Sequence, residues 1–511
     1  MPDAVVIGAG PNGLVAANLL ADAGWSVEVL EAQPEPGGAV RSGELVEPGY
    51  VSDRFSAFYP LAAASPAIRR LELERYGLEW AHGPLALAHP AADGTCAVLS
   101  RNLDETAASL DAFAAGDGEA WRRLYSYWRK AGSPLLDAIT TPFPPVRASV
   151  RLALALRRDL PDFTRLGLLS VRRLADEHFR GAGGGRLVAG NAMHTDLLPE
   201  SSLGGFFGWF LCALGQTYGY PCVRGGAGNL TAALVRRLES RGGRVTCDAR
   251  VTEIVVERGA ARAVRTAAGD IGARKAVLAD VHAVALYLEL LPRSAVPNRV
   301  LRAIERFEHD PATYKVDWTL DGPIPWTAAD ARRAPVVHVV ESLDELSLTQ
   351  SELARRLVPT NPFLVLGQYS MADASRMPAG KEIAWAYTHI PQHVDPGPLA
   401  DRMEERVEAL APGFRSLVRQ RHVQTPQDLE RANENLRGGS LNAGTAQLHQ
   451  QLVFRPIPGL GRPETPVKGL YLASASAHPG GGVHGGPGAI AARAALHSLR
   501  RFRGTTASAR P

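Results

Sequence analysis

Cysteine is scarce in this chain: Cys96, Cys212, Cys222 and Cys247 are four among 511 residues. None belongs to a Cys-x-x-Cys pair, which argues against a zinc site or a redox dithiol, and no metal centre is expected. Lysine is scarcer relative to its partner, with 5 against 51 arginines, and the net charge is only +4. That surplus is too small and too scattered to imply a nucleic-acid partner. Long hydrophobic runs are missing as well. No stretch of roughly 18 uncharged apolar residues occurs, so no spanning helix is expected. The first apolar run, Ala4–Ile7, has no basic stretch before it and leads directly into glycines; it reads as a strand rather than a signal peptide. A cytoplasmic location is the default expectation. What is present in quantity is apolar surface, 45% of residues against 21% charged. That composition folds into a core, and the length suits two interleaved domains.

Nucleotide-domain patterning occurs three times. Residues 1–45 read strand, glycine turn, helix, strand, with Gly24 stopping the helix and Val27–Leu30 as the second strand. Residues 224–290 repeat a mixed pattern: a helix from Leu230 to Leu238, then strands at Arg244–Thr246, Val251–Glu257, Ala263–Thr266 and Lys275–Ala279. Residues 469–500 give a strand, a glycine-rich turn and a helix from Ala489 to Leu496. Between these lie a mainly helical stretch over 100–220, broken by Pro142, Pro144 and Pro145, and a region from 312 to 455. There, strands such as Tyr314–Leu320 and Ile383–His389 alternate with a helix near 398–410. The expected architecture is α/β, a discontinuous Rossmann-type domain with an inserted α+β substrate domain. The first domain takes 1–60, 222–290 and 465–503, the second 61–221 and 291–464. Residues 504–511 read as a disordered tail.

Gly8-Ala9-Gly10-Pro11-Asn12-Gly13 matches G-x-G-x-x-G between a strand and a helix, where the pattern must sit to work. Gly8 permits the tight turn, Gly10 lets backbone approach a pyrophosphate, and Gly13 lets helix and strand pack closely. The helix start offers free N–H groups and a partial positive charge to phosphates. Glu31, 31 − 8 = 23 positions after the first glycine, ends the second strand and is placed to accept ribose hydroxyls, with Ala32 following it. A second glycine turn, Gly37-Gly38, is followed by Arg41. Near the other end, Pro479 to Gly488 forms a glycine-rich turn before a helix whose first N–H groups, at Gly488 and Ala489, are candidates to face a cofactor ring.

These features together resemble the phytoene-desaturase-type flavoproteins, a glutathione-reductase-like superfamily of carotenoid desaturases and isomerases, retinol saturase and carotenoid ketolases. It also holds relatives named for a pyridine nucleotide-disulfide oxidoreductase domain. The carriers of the resemblance are the opening motif, Gly37-Gly38, Leu470-Tyr471-Leu472, and His478-Pro479-Gly480-Gly481-Gly482-Val483 with Gly485. About 150 residues share it. Ser474 and Ser476 stand where carotenoid desaturases carry glycines, and Asp53-Arg54-Phe55-Ser56 replaces their Asp-x-Gly-Pro. The segment Ser52–Pro60 is closer to the pyridine nucleotide-disulfide branch. The resemblance implies non-covalent FAD, held also by Ser56, Gly481, Gly482 and, beside the adenine, Val251. It implies an oxidation, desaturation or isomerisation of an apolar small molecule. The electrons would pass to oxygen, a quinone or another acceptor. Two other functions fit the same chain: a non-catalytic FAD-binding interaction protein and a flavin amine oxidase.

On the substrate side, Leu203–Tyr220 is dense in aromatics and glycine, which suits either an apolar channel wall or a buried core helix. Candidate proton-handling groups are His478 and His484, which flank the glycine turn, with Tyr218 and Lys315. In amine-oxidase relatives a lysine sits near the reactive edge of the flavin; Lys315 is on a strand that would equally suit an exposed lysine. Either histidine would serve equally to hydrogen-bond the turn. Residues 146–174 hold seven arginines. At helical spacing Arg147, Arg151 and Arg158 fall on one side, and Val146, Val150, Leu154 and Leu160 on another. Such a helix lies on an anionic membrane or covers the core. Gly183-Gly184-Gly185 follows a helix rather than a strand and is not read as a second nucleotide loop.

Overall fold

The computed structural model describes residues 1–507. Ala4–Ile7 is buried at all four positions, as a β-branched apolar run must be when both faces of its sheet are covered. It lies at the centre of a five-stranded parallel sheet ordered Leu470–Leu472, Ala276–Ala279, Ala4–Ile7, Val27–Leu30, Arg244–Thr246. Three separate chain segments thus supply one sheet. Helices Pro11–Asp22, Gly228–Ser240 and Gly486–Ala507 cover one face. A three-stranded antiparallel sheet, Val251–Glu257, Ala260–Thr266 and Gly269–Gly272, lies toward the other.

Strand register places the site. Ile7 pairs with Leu30 and Ala279, and Ala279 pairs with Leu472. The four residues that leave these strands at their carboxyl ends, Gly8, Glu31, Asp280 and Ala473, therefore line one edge of the sheet. In open α/β sheets that edge is where ligands bind.

The second half of the molecule is built on a seven-stranded mixed sheet. Its order is Val418–Gln424, Ala312–Leu320, Glu382–Ile390, Leu364–Gln368, Val336–Val339, Leu87–Pro90, Cys96–Leu99. Helices between Leu103 and Tyr218 pack on it. The proline-rich break falls where the sequence places it: one helix ends at Ile139 and the next starts at Val146. Gly183-Gly184-Gly185 lies inside the helix Ala182–Ala192. A Cβ at Gly183 or Gly184 would collide with the rings of Phe113 or Phe179, so ring packing accounts for these glycines.

One sequence expectation needs correction here. Residues 504–507 of the expected tail continue the last helix, while 508–511 lie outside the described residues. Of the two readings of the helix Val146–Leu156, the core-covering one does not hold for its apolar side: Val146, Val150 and Leu154 are 62%, 53% and 67% exposed. Ala148 and Leu156 are buried in their place.

Candidate functional site

The glycine loop is fixed by two carboxylates. Glu31 accepts from the Ala9 N–H at 2.8 Å and the Gln33 N–H at 3.0 Å. Asp280 accepts from the Gly13 N–H at 2.8 Å. Full burial pushes the Asp280 carboxyl well above its ordinary range. Gly8 adopts a φ of +93°, which only glycine takes without strain. A Cβ at Gly13 would strike the Gly8 carbonyl oxygen, so the helix packs on the loop as its motif requires. The expected supply of free N–H groups is narrower than the motif suggests. Pro11 has none, and those of Ala9 and Gly13 are taken. Gly10 and Asn12 form no backbone N–H bond among the described residues. Gly37 donates to the Ala9 carbonyl at 2.9 Å, and a Cβ at Gly38 would sit 3.1 Å from the Gly10 Cα. The second glycine turn therefore lies against the first. Arg41 is buried and donates to the Gly38 and Ala432 carbonyls at 3.0 and 2.6 Å, tying that turn to the substrate half. Ser56 donates to the Ala39 carbonyl at 2.6 Å. Ala32 is half-buried just past Glu31. Val251 packs in the cluster that holds Ile7 and Leu30.

A cavity of about 690 Å³ runs from Gly10–Asn12 past Gly38, Ser56 and Tyr59 to Gly481–His484. The helix Gly204–Tyr218 meets both sequence readings at once. Phe206, Phe207, Phe210 and Leu211 line the cavity, while Trp209 and Leu214 are buried in the core behind them.

The candidate proton-handling residues separate clearly. His478 lines the cavity, with Nε2 buried and unpartnered among the described residues. His484 lines the cavity too, but it meets the turn-holding reading. Its Nδ1 accepts from the Gly486 N–H at 3.0 Å and its Nε2 bonds the Gly481 carbonyl at 3.2 Å, so both ring nitrogens hold the turn. Burial lowers its pKa to about 4. Lys315 lines the cavity and is 3% exposed, which removes the solvated-lysine reading. Its Nζ is ion-paired with Asp317 and donates to the Asp53 carbonyl at 3.1 Å, so it is held within this buried cluster. Tyr218 lines a different, smaller cavity beside Trp80 and His82.

The expectation of a free N–H at Ala489 is corrected. The last helix begins at Gly486, three residues earlier than its apolar pattern suggests. Ala489 therefore donates to the Gly485 carbonyl at 3.0 Å inside the helix. A Cβ at Gly488 would run into the Asn12 carbonyl. Neither lines the cavity; Pro479, Gly481, Gly482, Val483 and His484 do.

Sequence reasoning missed three groups. Asp280 is one; its only local signal is an acid directly after a buried strand. The second is a buried ion cluster. Arg376 donates to Asp53 at 2.8 Å and Asp373 at 3.0 Å, and Tyr369 donates to Asp53 at 2.7 Å. The third is a chain of rings: Tyr387 bonds His194 at 3.2 Å, His194 bonds His338 at 3.1 Å, and His338 bonds His89 at 2.9 Å.

This geometry accommodates an extended dinucleotide: glycine backbones that admit no Cβ, two unclaimed N–H groups at a helix start, and one cavity joining them to a second glycine turn. The profile of the flavin containing amine oxidoreductases matches residues 12–493, and the chain belongs to that family. It is an FAD-dependent oxidoreductase with a Rossmann-type FAD-binding domain. A mouse protein named pyridine nucleotide-disulfide oxidoreductase domain-containing protein 2 is 28% identical, across 98% of this chain and 94% of its own. A lycopene-forming phytoene desaturase of Pseudescherichia vulneris is 26% identical, across 98% of this chain and 99% of its own. The crystal structure of an oxidoreductase from Methanosarcina mazei superposes with a TM-score of 0.64 at 15% identity, across 97% of this chain and 99% of that one.

Proposed function

We propose that this chain oxidises or isomerises a neutral, lipophilic small molecule, in the manner of the desaturases it resembles. The observation that carries this is the cavity wall. Beyond the glycine loops it is made of side chains such as Leu135, Ile139, Phe206, Phe210 and Leu211. Among the described residues, Asp280 is the only acidic side chain lining it, and Asp280 is engaged by the glycine loop. A cationic amine would therefore find no carboxylate to meet, which disfavours amine oxidation.

FAD would be held non-covalently by Gly8–Gly13, Glu31, Gly37-Gly38, Ser56 and the Gly481-Gly482 turn, with Val251 toward the adenine. When bound, it supplies a two-electron acceptor for a C–H bond. The protein's own part is to exclude water with the apolar wall and to hold the substrate against the Gly481–Val483 turn. His478, with its unpartnered Nε2, is placed to take up a proton there. Acid precipitation of the purified protein should release yellow flavin into the supernatant. Lipophilic ligands should perturb the bound flavin spectrum. Photoreduced protein should reoxidise with oxygen or a quinone. A flavin that neither responds to ligands nor reoxidises with any acceptor would leave an FAD-binding interaction protein in place of an enzyme.

Part of the cavity wall lies beside a surface suited to lipid. Pro145, Gly167, Leu448 and Leu452 line it, and close by in sequence are the exposed Val146, Val150, Leu154 and Leu168. Arg147, Arg151 and Arg158 are exposed on the same segment. An apolar stripe with a basic flank lies in the headgroup region of an anionic membrane. No described helix is long and apolar enough to cross one. The protein should float with vesicles containing phosphatidylserine and not with neutral vesicles at physiological salt. V150D/L154D should abolish flotation while leaving flavin content unchanged. Equal flotation of the variant would place the contact elsewhere.

A further inference from the structure

The largely apolar cavity has a polar patch on the seven-stranded sheet, apart from the histidines near its glycine turns. On the face of the seven-stranded sheet that lines it, cross-strand pairs stack in order: Thr313 opposite His389, Lys315 opposite Tyr387, Asp317 opposite Trp385. Two of these rows are internally satisfied. Lys315 is paired with Asp317, and the Tyr387 hydroxyl bonds His194. The Thr313 and His389 row is not. Thr313 Oγ1 is buried without a hydrogen-bond partner among the described residues, and neither ring nitrogen of His389 has a well-formed one, a weak contact with the Ala312 backbone aside. The two residues are 1% and 6% exposed, and both line the cavity.

Leaving a buried donor or acceptor unpaired costs its desolvation, so native proteins rarely keep three together without a use. The surroundings hold this row in place. Behind it the chain Tyr387, His194, His338, His89 is hydrogen-bonded end to end. A Cβ at Gly190 would collide with the last of these contacts, at His338 and His89, so the helix backbone is pressed onto the chain. Burial keeps these histidines and His389 neutral at ordinary pH. A neutral imidazole offers one donor and one acceptor, and a threonine hydroxyl offers the same. Together they match an uncharged oxygen: two donors for a carbonyl, or one donor and one acceptor for a hydroxyl.

We propose that the substrate is not a plain hydrocarbon but a lipophile carrying a hydroxyl or carbonyl group, which His389 and Thr313 bind inside the cavity. This rests on the lipophilic-substrate reading above and narrows it. The polar edge of the flavin has the same hydrogen-bonding chemistry, so the test must separate the two.

The holoprotein is titrated with a C20 isoprenoid alcohol and with the C20 isoprenoid hydrocarbon of the same skeleton, following the flavin absorbance. The alcohol should bind about tenfold tighter or more, the gain of pairing groups otherwise left buried and unsatisfied. T313V, nearly isosteric, and H389L should each erase most of that preference while leaving hydrocarbon affinity unchanged. Equal binding of the two ligands by the unaltered protein would overturn the proposal. So would variants that keep the preference, and a shifted flavin spectrum in those ligand-free variants would then assign the pair to the cofactor. If neither ligand perturbs the flavin, the lipophilic-substrate reading itself falls and takes the proposal with it, an outcome distinct from equal binding.

Discussion

The Gly10→Val protein is expected to fold and to emerge from purification without flavin. Gly10 has φ −70° and ψ 172°, a conformation open to any residue, so backbone strain is not the cause. Space is. A Cβ at Gly10 would sit 2.8 Å from Asp280 Oδ2, and valine adds two methyl groups beyond it. Asp280 must then move, and it is the acceptor that fixes the Gly13 N–H. The change also crowds the two unclaimed N–H groups, at Gly10 and Asn12, that face the cavity. Hydrogen bonds to a charged phosphate are worth about 1.5–3 kcal/mol each. Losing two weakens binding on the order of 100-fold or more. The ratio of flavin to protein absorbance measures the loss, with circular dichroism to confirm the fold. A folded variant with normal flavin content would show that the pyrophosphate lies elsewhere.

Arg376→Leu should be the most destabilising single change away from the cofactor. The guanidinium is fully buried between Asp53 and Asp373, donates to the Val223 carbonyl, and lies 4.2 Å from the Tyr369 ring centre. Asp53 and Val223 lie in segments that flank the glycine turn Gly37-Gly38 and the helix Gly228–Ser240, whereas Arg376 follows the strand Leu364–Gln368 of the seven-stranded sheet. Removing it leaves two buried carboxylates with neutral donors but without their shared cation, a loss of about 3–5 kcal/mol where one partner of a buried pair is deleted. The urea midpoint should fall sharply and flavin release should accompany it. Arg376→Lys should lie between, because it keeps the charge without the planar fork. A leucine variant with an unchanged midpoint would show that the cluster contributes little to joining the two halves.

What the sequence displayed was local. The strand, glycine turn and helix at 4–22, and the acid at Glu31, lie within one βαβ unit, where periodicity and spacing carry the information. The cavity face of Leu203–Tyr220 was visible as composition. The rest depends on residues far apart in sequence. Asp280 is 267 positions from the Gly13 it holds, and Arg376 is 323 from Asp53; no window of residues brings them together. The misplacement of Ala489 has a simpler origin. Free N–H groups belong to the first helical turn, so a helix that starts three residues early gives Ala489 a partner in the Gly485 carbonyl. His484 claims the Gly486 N–H, and Gly481–His484 is the part of the turn that lines the cavity. The exposed stripe at Val146, Val150 and Leu154 could not be told from a core-facing one, since periodicity defines a face without saying what covers it.

The five-stranded sheet has a temporal consequence. Its central strand, Ala4–Ile7, leaves the ribosome first, yet one neighbour is Ala276–Ala279 and the outer strand beyond it is Leu470–Leu472. At ordinary translation rates of roughly 5–20 residues per second, the wait between first and last is on the order of a minute. During it the glycine loop exists without Asp280, and later without the turn that closes the cavity. The helices from Leu103 to Tyr218 make shorter-range contacts and are free to form meanwhile. Stable capture of the cofactor therefore waits for Leu470–Leu472 and the turn after it, and a nascent chain stalled before residue 470 should carry no flavin.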